Sequence, residues 1–335
     1  MILRAAAFLV LIVNLIAPAA AQERVVVATQ RSAANGPLFI AAVRGYFKAE
    51  GLELQMGAYN GARDVVEAVA SGRADLGLTE FTPTAFNLAG QGAIRIVAAQ
   101  AREKADYEGA ELVASNAAYA GGLRKFENLA GKTVAIETLG TVPHYQLAEI
   151  ARVKAFDFAT VEVKPFYSNK DIVKLLADGL VDAAVLPSQD VRDLLGSNQA
   201  HLIGWLSEIA EPQTGALFAA VAAIKSKRAA VEKFVRAYRH GVADYAQALL
   251  RHDRFAKRVS DAASREAAAV IARYVDPDHS DAAAAIEASA PFVDPKARID
   301  TADIERQLAW YKAQGFVEKS VEANDVVDLT FTSGD

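Results

Sequence analysis

Hydroxyl, amide, imidazole and aromatic side chains recur in this sequence directly after short apolar runs. Arg31-Ser-Ala-Ala-Asn35-Gly36-Pro37 follows the run 25–29, Tyr59-Asn60-Gly61 follows 52–56, and Thr79-Glu80-Phe81-Thr82-Pro83 follows 75–78. Further on, Thr138-Leu-Gly140-Thr141-Val-Pro143-His144-Tyr145 follows 132–136, Tyr167-Ser168-Asn169 follows 161–166, and Leu186-Pro-Ser188-Gln-Asp190 ends the run 182–186. Such groups, where a strand ends and a helix begins, can hold a small polar molecule, because a helix N-terminus leaves backbone N–H groups unpaired. Each also has a local use. Ser32 and Asn35 can close a turn, Tyr59 can sit in a surface turn, Thr79, Thr82 or Ser188 can cap a helix, and Arg31 can be a solvated charge. Phe81 can form an apolar wall and Tyr167 can stack on a planar guest. The expected contact set is Asn35, Tyr59, Thr79, Phe81, Thr82, Thr138, Thr141, His144, Tyr167 and Ser188.

Residues for bond-making chemistry are missing. There is no cysteine, which excludes disulfides, thiolate metal sites and a cysteine nucleophile. The histidines, His144, His201, His240, His252 and His279, have no paired metal-ligand spacing. Neither a G-x-S-x-G elbow, a Walker A loop nor a G-x-G-x-x-G fingerprint occurs. The expectation is a protein without catalytic residues, metal or cofactor.

Hydrophobic residues make up 52% of the 335 positions and charged residues 23%, which fits a folded globular chain. The length suggests two domains. A net charge of -5 argues against a nucleic-acid partner. Residues 1–21 read as a cleaved export signal: Arg4 flanks an apolar run, Pro18 breaks it, and Ala19-Ala20-Ala21 offers the small-residue cut before Gln22. The competing reading, a membrane anchor, has too short an apolar run.

The elements that must position these residues alternate. Strands are expected at 25–29, 52–56, 75–78, 94–99 and 111–114, with helices at 38–49, 62–70 and 82–89 between them. The pattern restarts with strands at 132–136, 161–166, 182–186 and 201–206 and helices at 143–155, 168–177 and 189–195. This alternation predicts an α/β fold with largely parallel sheets in two lobes. Beyond Lys227 the chain turns helical, with helices expected at 229–250, 255–263, 267–273 and 301–313, packed back on the first lobe.

Four stretches carry a family resemblance: Gly45-Tyr-Phe-Lys-Ala-Glu-Gly-Leu-Glu-Leu54, Glu67-Ala-Val-Ala-Ser-Gly-Arg-Ala-Asp-Leu-Gly77, Phe126-Glu-Asn-Leu-Ala-Gly-Lys-Thr-Val-Ala-Ile136 and Leu175-Leu-Ala-Asp-Gly-Leu-Val-Asp-Ala-Ala184. In order and spacing they resemble periplasmic substrate-binding proteins of nitrate/sulfonate/taurine-type ABC transporters, a group with thiamine-precursor-binding relatives. The resemblance implies the type II periplasmic-binding-protein fold: two doubly wound sheets, a ligand cleft between them, and two crossings near 100–111 and 211–215. Lobe 1 would be 22–105 with 215–335, and lobe 2 would be 106–214. It implies a monomeric receptor for a small organic anion, working with an ABC permease and its ATPase, or alternatively a receptor for a pyrimidine-type heterocycle or an enzyme on the same fold. In the sulfonate-binding relatives a hydroxyl-rich loop followed by His stands where Thr138, Thr141 and His144 stand here. Glu80 departs from the small residue expected at its place, and a carboxylate there disfavours an anionic guest.

Overall fold

In the computed structural model, residues 22–107 and 109–332 are described, apart from the side chains of Gln189 and Asp193. The expected export signal lies outside the described residues.

Among the described residues, ten strands form two five-stranded mixed sheets. β1 (Glu23–Thr29), β2 (Leu52–Ala58), β3 (Leu76–Glu80), β4 (Ile94–Ala99) and β10 (Gly215–Ala220) make the first, in the order β2-β1-β3-β10-β4. β5 (Ala110–Ser115), β6 (Thr133–Ile136), β7 (Glu162–Pro165), β8 (Ala183–Pro187) and β9 (Ala200–Trp205) make the second, in the order β7-β6-β8-β5-β9. β1 runs parallel to β2 and β3, and β6 runs parallel to β7 and β8. β10 is antiparallel to β3 and β4, as β5 is to β8 and β9. Each chain crossing therefore leads into the antiparallel strand of the sheet it enters.

Alternation along the strands divides the buried residues between two faces, as the period of two requires. In the second sheet Leu112 and Val134 pack with Leu147 and Ile150, while Val113 and Ala135 pack with Ile172 and Leu176. The first sheet shares its core with the C-terminal helices, through residues such as Phe234, Tyr238, Tyr245 and Tyr311.

One device occurs once in each half. The Asp75 carboxylate accepts the Val26 N–H at 2.9 Å, and the Asp75 N–H reaches the Val26 carbonyl at 2.8 Å. Asp182 does the same with Thr133, at 2.8 Å and 3.1 Å. Each aspartate thus ties the start of a third-in-line strand to the strand before it. That is the physical use of the acidic residue in the Ser71-Gly-Arg-Ala-Asp75 and Asp178-Gly-Leu-Val-Asp182 stretches.

Among the departures from the sequence expectation, three have a plain physical reason. The helix expected at 38–49 is two pieces, Gly36–Val43 and Tyr46–Ala49, because Gly45 takes a left-handed φ of 75°. The expected helix at 255–263 is absent. The Asp253 carboxylate instead accepts the N–H groups of Phe255 and Lys257, and the next helix runs from Ala262 to Val275 behind an Asp261 capping box. β10 was not expected, since Gly215-Ala-Leu-Phe-Ala-Ala220 contains no β-branched residue.

Candidate functional site

Parallel pairing puts the C-terminal ends of β1, β2 and β3 on one edge of the first sheet, and those of β6, β7 and β8 on one edge of the second. The segments that join the sheets pair with each other. Arg102 bridges Gln213 in antiparallel fashion, the Glu103 N–H donates to the Pro212 carbonyl at 2.9 Å, and the Thr214 N–H donates to the Ala101 carbonyl at 2.9 Å. The Asp303 carboxylate, on the helix Thr301–Ala313, accepts the Gln213 N–H at 2.7 Å, and Gln307 donates to the Gln213 carbonyl at 2.8 Å. This buried network fixes the second crossing to the C-terminal helix.

Across the gap the two edges meet. A β-carbon placed on Gly140 would stand 3.0 Å from Pro83 Cγ and 3.6 Å from the Phe316 ring. His144 and Tyr145, on the helix Val142–Val153, meet Trp310 with ring centroids 5.0 Å and 5.7 Å away. Arg306 hydrogen-bonds the Tyr145 hydroxyl.

Several expected contact residues are committed to the protein itself. The Asn35 amide is fully buried, donating to the Gln30 carbonyl at 3.0 Å and accepting from Gln100 Nε2. The buried Thr79 hydroxyl donates to Gln30 Oε1 at 2.5 Å. The Phe81 ring lies in the core, 5.4 Å from Phe86 and 6.3 Å from Phe218, so the expected apolar wall is an interior residue. Thr82 caps the helix Pro83–Gly90 by accepting the Ala85 N–H at 3.2 Å. The His144 ring is buried, and its Nδ1 accepts the Gly140 N–H at 3.1 Å, which leaves the proton on Nε2. Burial pushes its pKa down to about 4. Its place is a packed joint, not an open wall.

The remainder lie nearer solvent. Tyr59 is half-buried with its ring against Gly57. Thr138 is exposed, and the Thr141 hydroxyl donates to the Thr138 carbonyl at 2.8 Å. The Ser188 hydroxyl donates to the Gly109 carbonyl at 3.3 Å. Tyr167 is 74% exposed with a left-handed φ of 59°, an unfavourable conformation for an aromatic residue. Its N–H donates to the Glu137 carbonyl at 2.9 Å.

Glu80, noted in the sequence for its departure, and acidic and amide groups that the sequence reading did not single out stand at the same edges. Glu80 ends β3 and Glu137 directly follows β6. The Glu80 side chain reaches solvent, yet enough protein surrounds it for desolvation to raise its pKa, and the Glu137 carboxylate raises it further. Accessible and desolvated together mean a concave position. On the first crossing, burial pushes the Glu103 carboxyl up to about 7, against the Ala110 N–H that it accepts. Its Oε2 has no hydrogen-bond partner, nor does Gln100 Oε1.

A separate cavity of about 360 Å³ lies beside the crossings, lined by Arg102, Tyr145, Arg152, Glu211, Asp303 and Arg306 among others. Arg102, Arg152 and Arg306 pair with Asp300, Glu149 and Asp303. Its arginines are thus paired with neighbouring carboxylates, and Glu80 and Glu137 are not among its lining residues. Among the described residues no group of three His, Cys, Asp or Glu side chains could hold a metal ion, and no helix is long and apolar enough to cross a membrane.

Comparison with solved structures gives the same fold. The periplasmic aliphatic sulphonate binding protein SsuA from Escherichia coli matches with a TM-score of 0.70 at 13% identity, over 93% of this chain and 99% of that one. A putative periplasmic sulfonate-binding SsuA from Methylobacillus flagellatus matches with a TM-score of 0.70 at 15% identity, over 93% of each chain. The desulfurization enzyme DSZB matches with a TM-score of 0.62 at 13% identity, over 92% of this chain and 97% of that one. No curated protein matches significantly. The NMT1/THI5-like family model matches residues 33–248. With two mixed sheets of the periplasmic-binding-protein type and most of its length under that match, the chain belongs to the NMT1/THI5-like family.

Proposed function

We propose that the protein is an exported solute receptor that takes up a small molecule between two lobes and releases it unchanged to an ABC permease and its ATPase. The observation that carries this reading is the approach of two sheet edges, Pro83 beside Glu80 on the first against Gly140 after β6 on the second, next to the paired crossings. Lobe 1 in this reading is 22–105 with 215–335, and lobe 2 is 106–214. Closure draws its free energy from contacts made only in the shut form. The export signal at 1–21 sends a monomeric chain to the periplasm, and no nucleic acid takes part.

No bond is made or broken in this reading. The absence of cysteine and of catalytic motifs supports that. The sulfonate-binding neighbours favour an anionic guest, whereas the carboxylates at the strand ends favour the opposite charge.

Small-angle scattering of the mature chain, together with product analysis, tests the proposal. A compound that shifts the melting temperature should also make the particle more compact and be recovered intact. A converted product, or tight binding with no compaction, overturns it.

A further inference from the structure

Resting on the receptor reading, we propose that the guest is a cation, a protonated amine or guanidinium group held between Glu80 and Glu137 with the Tyr167 ring beside it. Glu80 ends β3 and Glu137 directly follows β6, and the like charge of Glu137 acts on Glu80. Like carboxylates in a concave place repel, and a cation between them removes that repulsion.

A second observation is independent of the acids. Gln100 is 2% exposed, and its Oε1 has no partner. Its orientation is fixed by a chain of bonds: Asn35 Nδ2 donates to the Gln30 carbonyl, so Asn35 Oδ1 must accept, and Gln100 Nε2 is what it accepts from. Oε1 is therefore left as an orphan acceptor. It sits over Gly215, where an added β-carbon would lie 2.1 Å from this oxygen and 3.1 Å from Glu80 Cα. The unsatisfied amide is thus beside Glu80. A buried acceptor without a donor is costly, and a guest rich in N–H groups supplies the missing donors, directly or through water.

Tyr167 completes the site. Its backbone is bonded to Glu137, and its ring is open to solvent although its φ is strained. An exposed ring whose backbone is tied to that of an acidic residue is available to lay its face over a cation. Three of the amide and hydroxyl groups that an anion would use at the first sheet's edge, Asn35, Thr79 and Thr82, are engaged internally.

The test uses the mature chain with agmatine, putrescine and spermidine as cations, and taurine and ethanesulfonate as comparison compounds. Thermal shift and calorimetry should show binding of at least one cation and no binding of ethanesulfonate. Glu80→Gln and Glu137→Gln should each weaken it about ten- to hundredfold, the range for a hydrogen bond to a charged group, while keeping the wild-type circular dichroism. Cation affinity should rise with pH, because protonation of Glu80, whose pKa is raised, competes with the cation. Three results overturn the proposal: no cation binds at millimolar concentration, ethanesulfonate binds more tightly than every cation, or the two glutamine variants bind as wild type. Ethanesulfonate that compacts the particle would sink the cation while leaving the receptor reading intact. A cation that binds through Glu80 without compaction would do the reverse.

Discussion

The imidazole of His144 stands edge-on to the indole of Trp310, with ring centroids 5.0 Å apart and planes at 89°. His144 belongs to a helix that follows β6 of the second sheet, and Trp310 to a helix whose neighbour Tyr311 lies in the core of the first. The contact therefore links the two halves by side chains, in addition to the crossings. Phe316 adds a further edge contact to His144 at 6.0 Å.

Truncating this ring removes the contact and the acceptor for the Gly140 N–H together. His144→Ala should cost about 2–4 kcal/mol of unfolding free energy, by cavity formation and loss of a buried acceptor. Urea denaturation at pH 8 measures it. A loss below about 0.5 kcal/mol, the range of an ordinary surface change, would contradict the packed role.

The same residue gives a pH signature. Burial holds folded His144 at about 4, below its ordinary 6.5. The unfolded chain therefore takes up a proton that the folded one refuses. Stability from this group is complete above pH 6.5 and is lost as pH falls from there toward 4. His144→Asn should flatten the stability profile over that window. An unchanged slope between wild type and variant would refute the assignment.

Glu103 works in the opposite direction. Its folded carboxyl is pushed up to about 7 from the ordinary 4.5, so the folded chain retains a proton that the unfolded one releases. Stability from this group is complete below pH 4.5 and is lost as pH rises through 7. Glu103→Gln should melt at a higher temperature than wild type at pH 8 and at nearly the same temperature at pH 4. A variant less stable than wild type at pH 8 would count against the unpaired Oε2.

Gly215 starts β10 where two strands and the first crossing converge. An added β-carbon would meet Gln100 Oε1 at 2.1 Å and the Thr79 carbonyl at 2.6 Å, and the latter is backbone that cannot swing aside. Gly215→Ala should cost about 1–3 kcal/mol by overpacking. Gly196→Ala, with nothing within 4 Å, is the control and should stay within about 0.5 kcal/mol of wild type. Equal stability of the two variants would show that Gln100 is not held as described.

Much of the architecture was legible because short β-branched runs alternate with helical spacing. The runs at 25–29, 94–99 and 132–136 all became strands. β10 escaped because Gly215–Ala220 resembles the Ala-rich helices after it, and only its pairing with β3 and β4 makes it a strand. The proposed site drew on the sequence only in part. Glu80 drew notice by its position, but Glu137 did not, since a lone carboxylate reads as solvated surface until the opposing edge is known. The partners of His144 and Gln100 lie far along the chain, and no local spacing announces them.

The place of β10 bears on the order in which the molecule can assemble. Every strand of the second sheet lies between residues 110 and 205, whereas the first sheet waits for residues 215–220 to fill the gap between β3 and β4. A chain growing from its N-terminus, or threading through a narrow conduit, can finish its middle before its beginning. Until then the early strands keep two unpaired edges, and the nascent protein cannot set prematurely into its final shape.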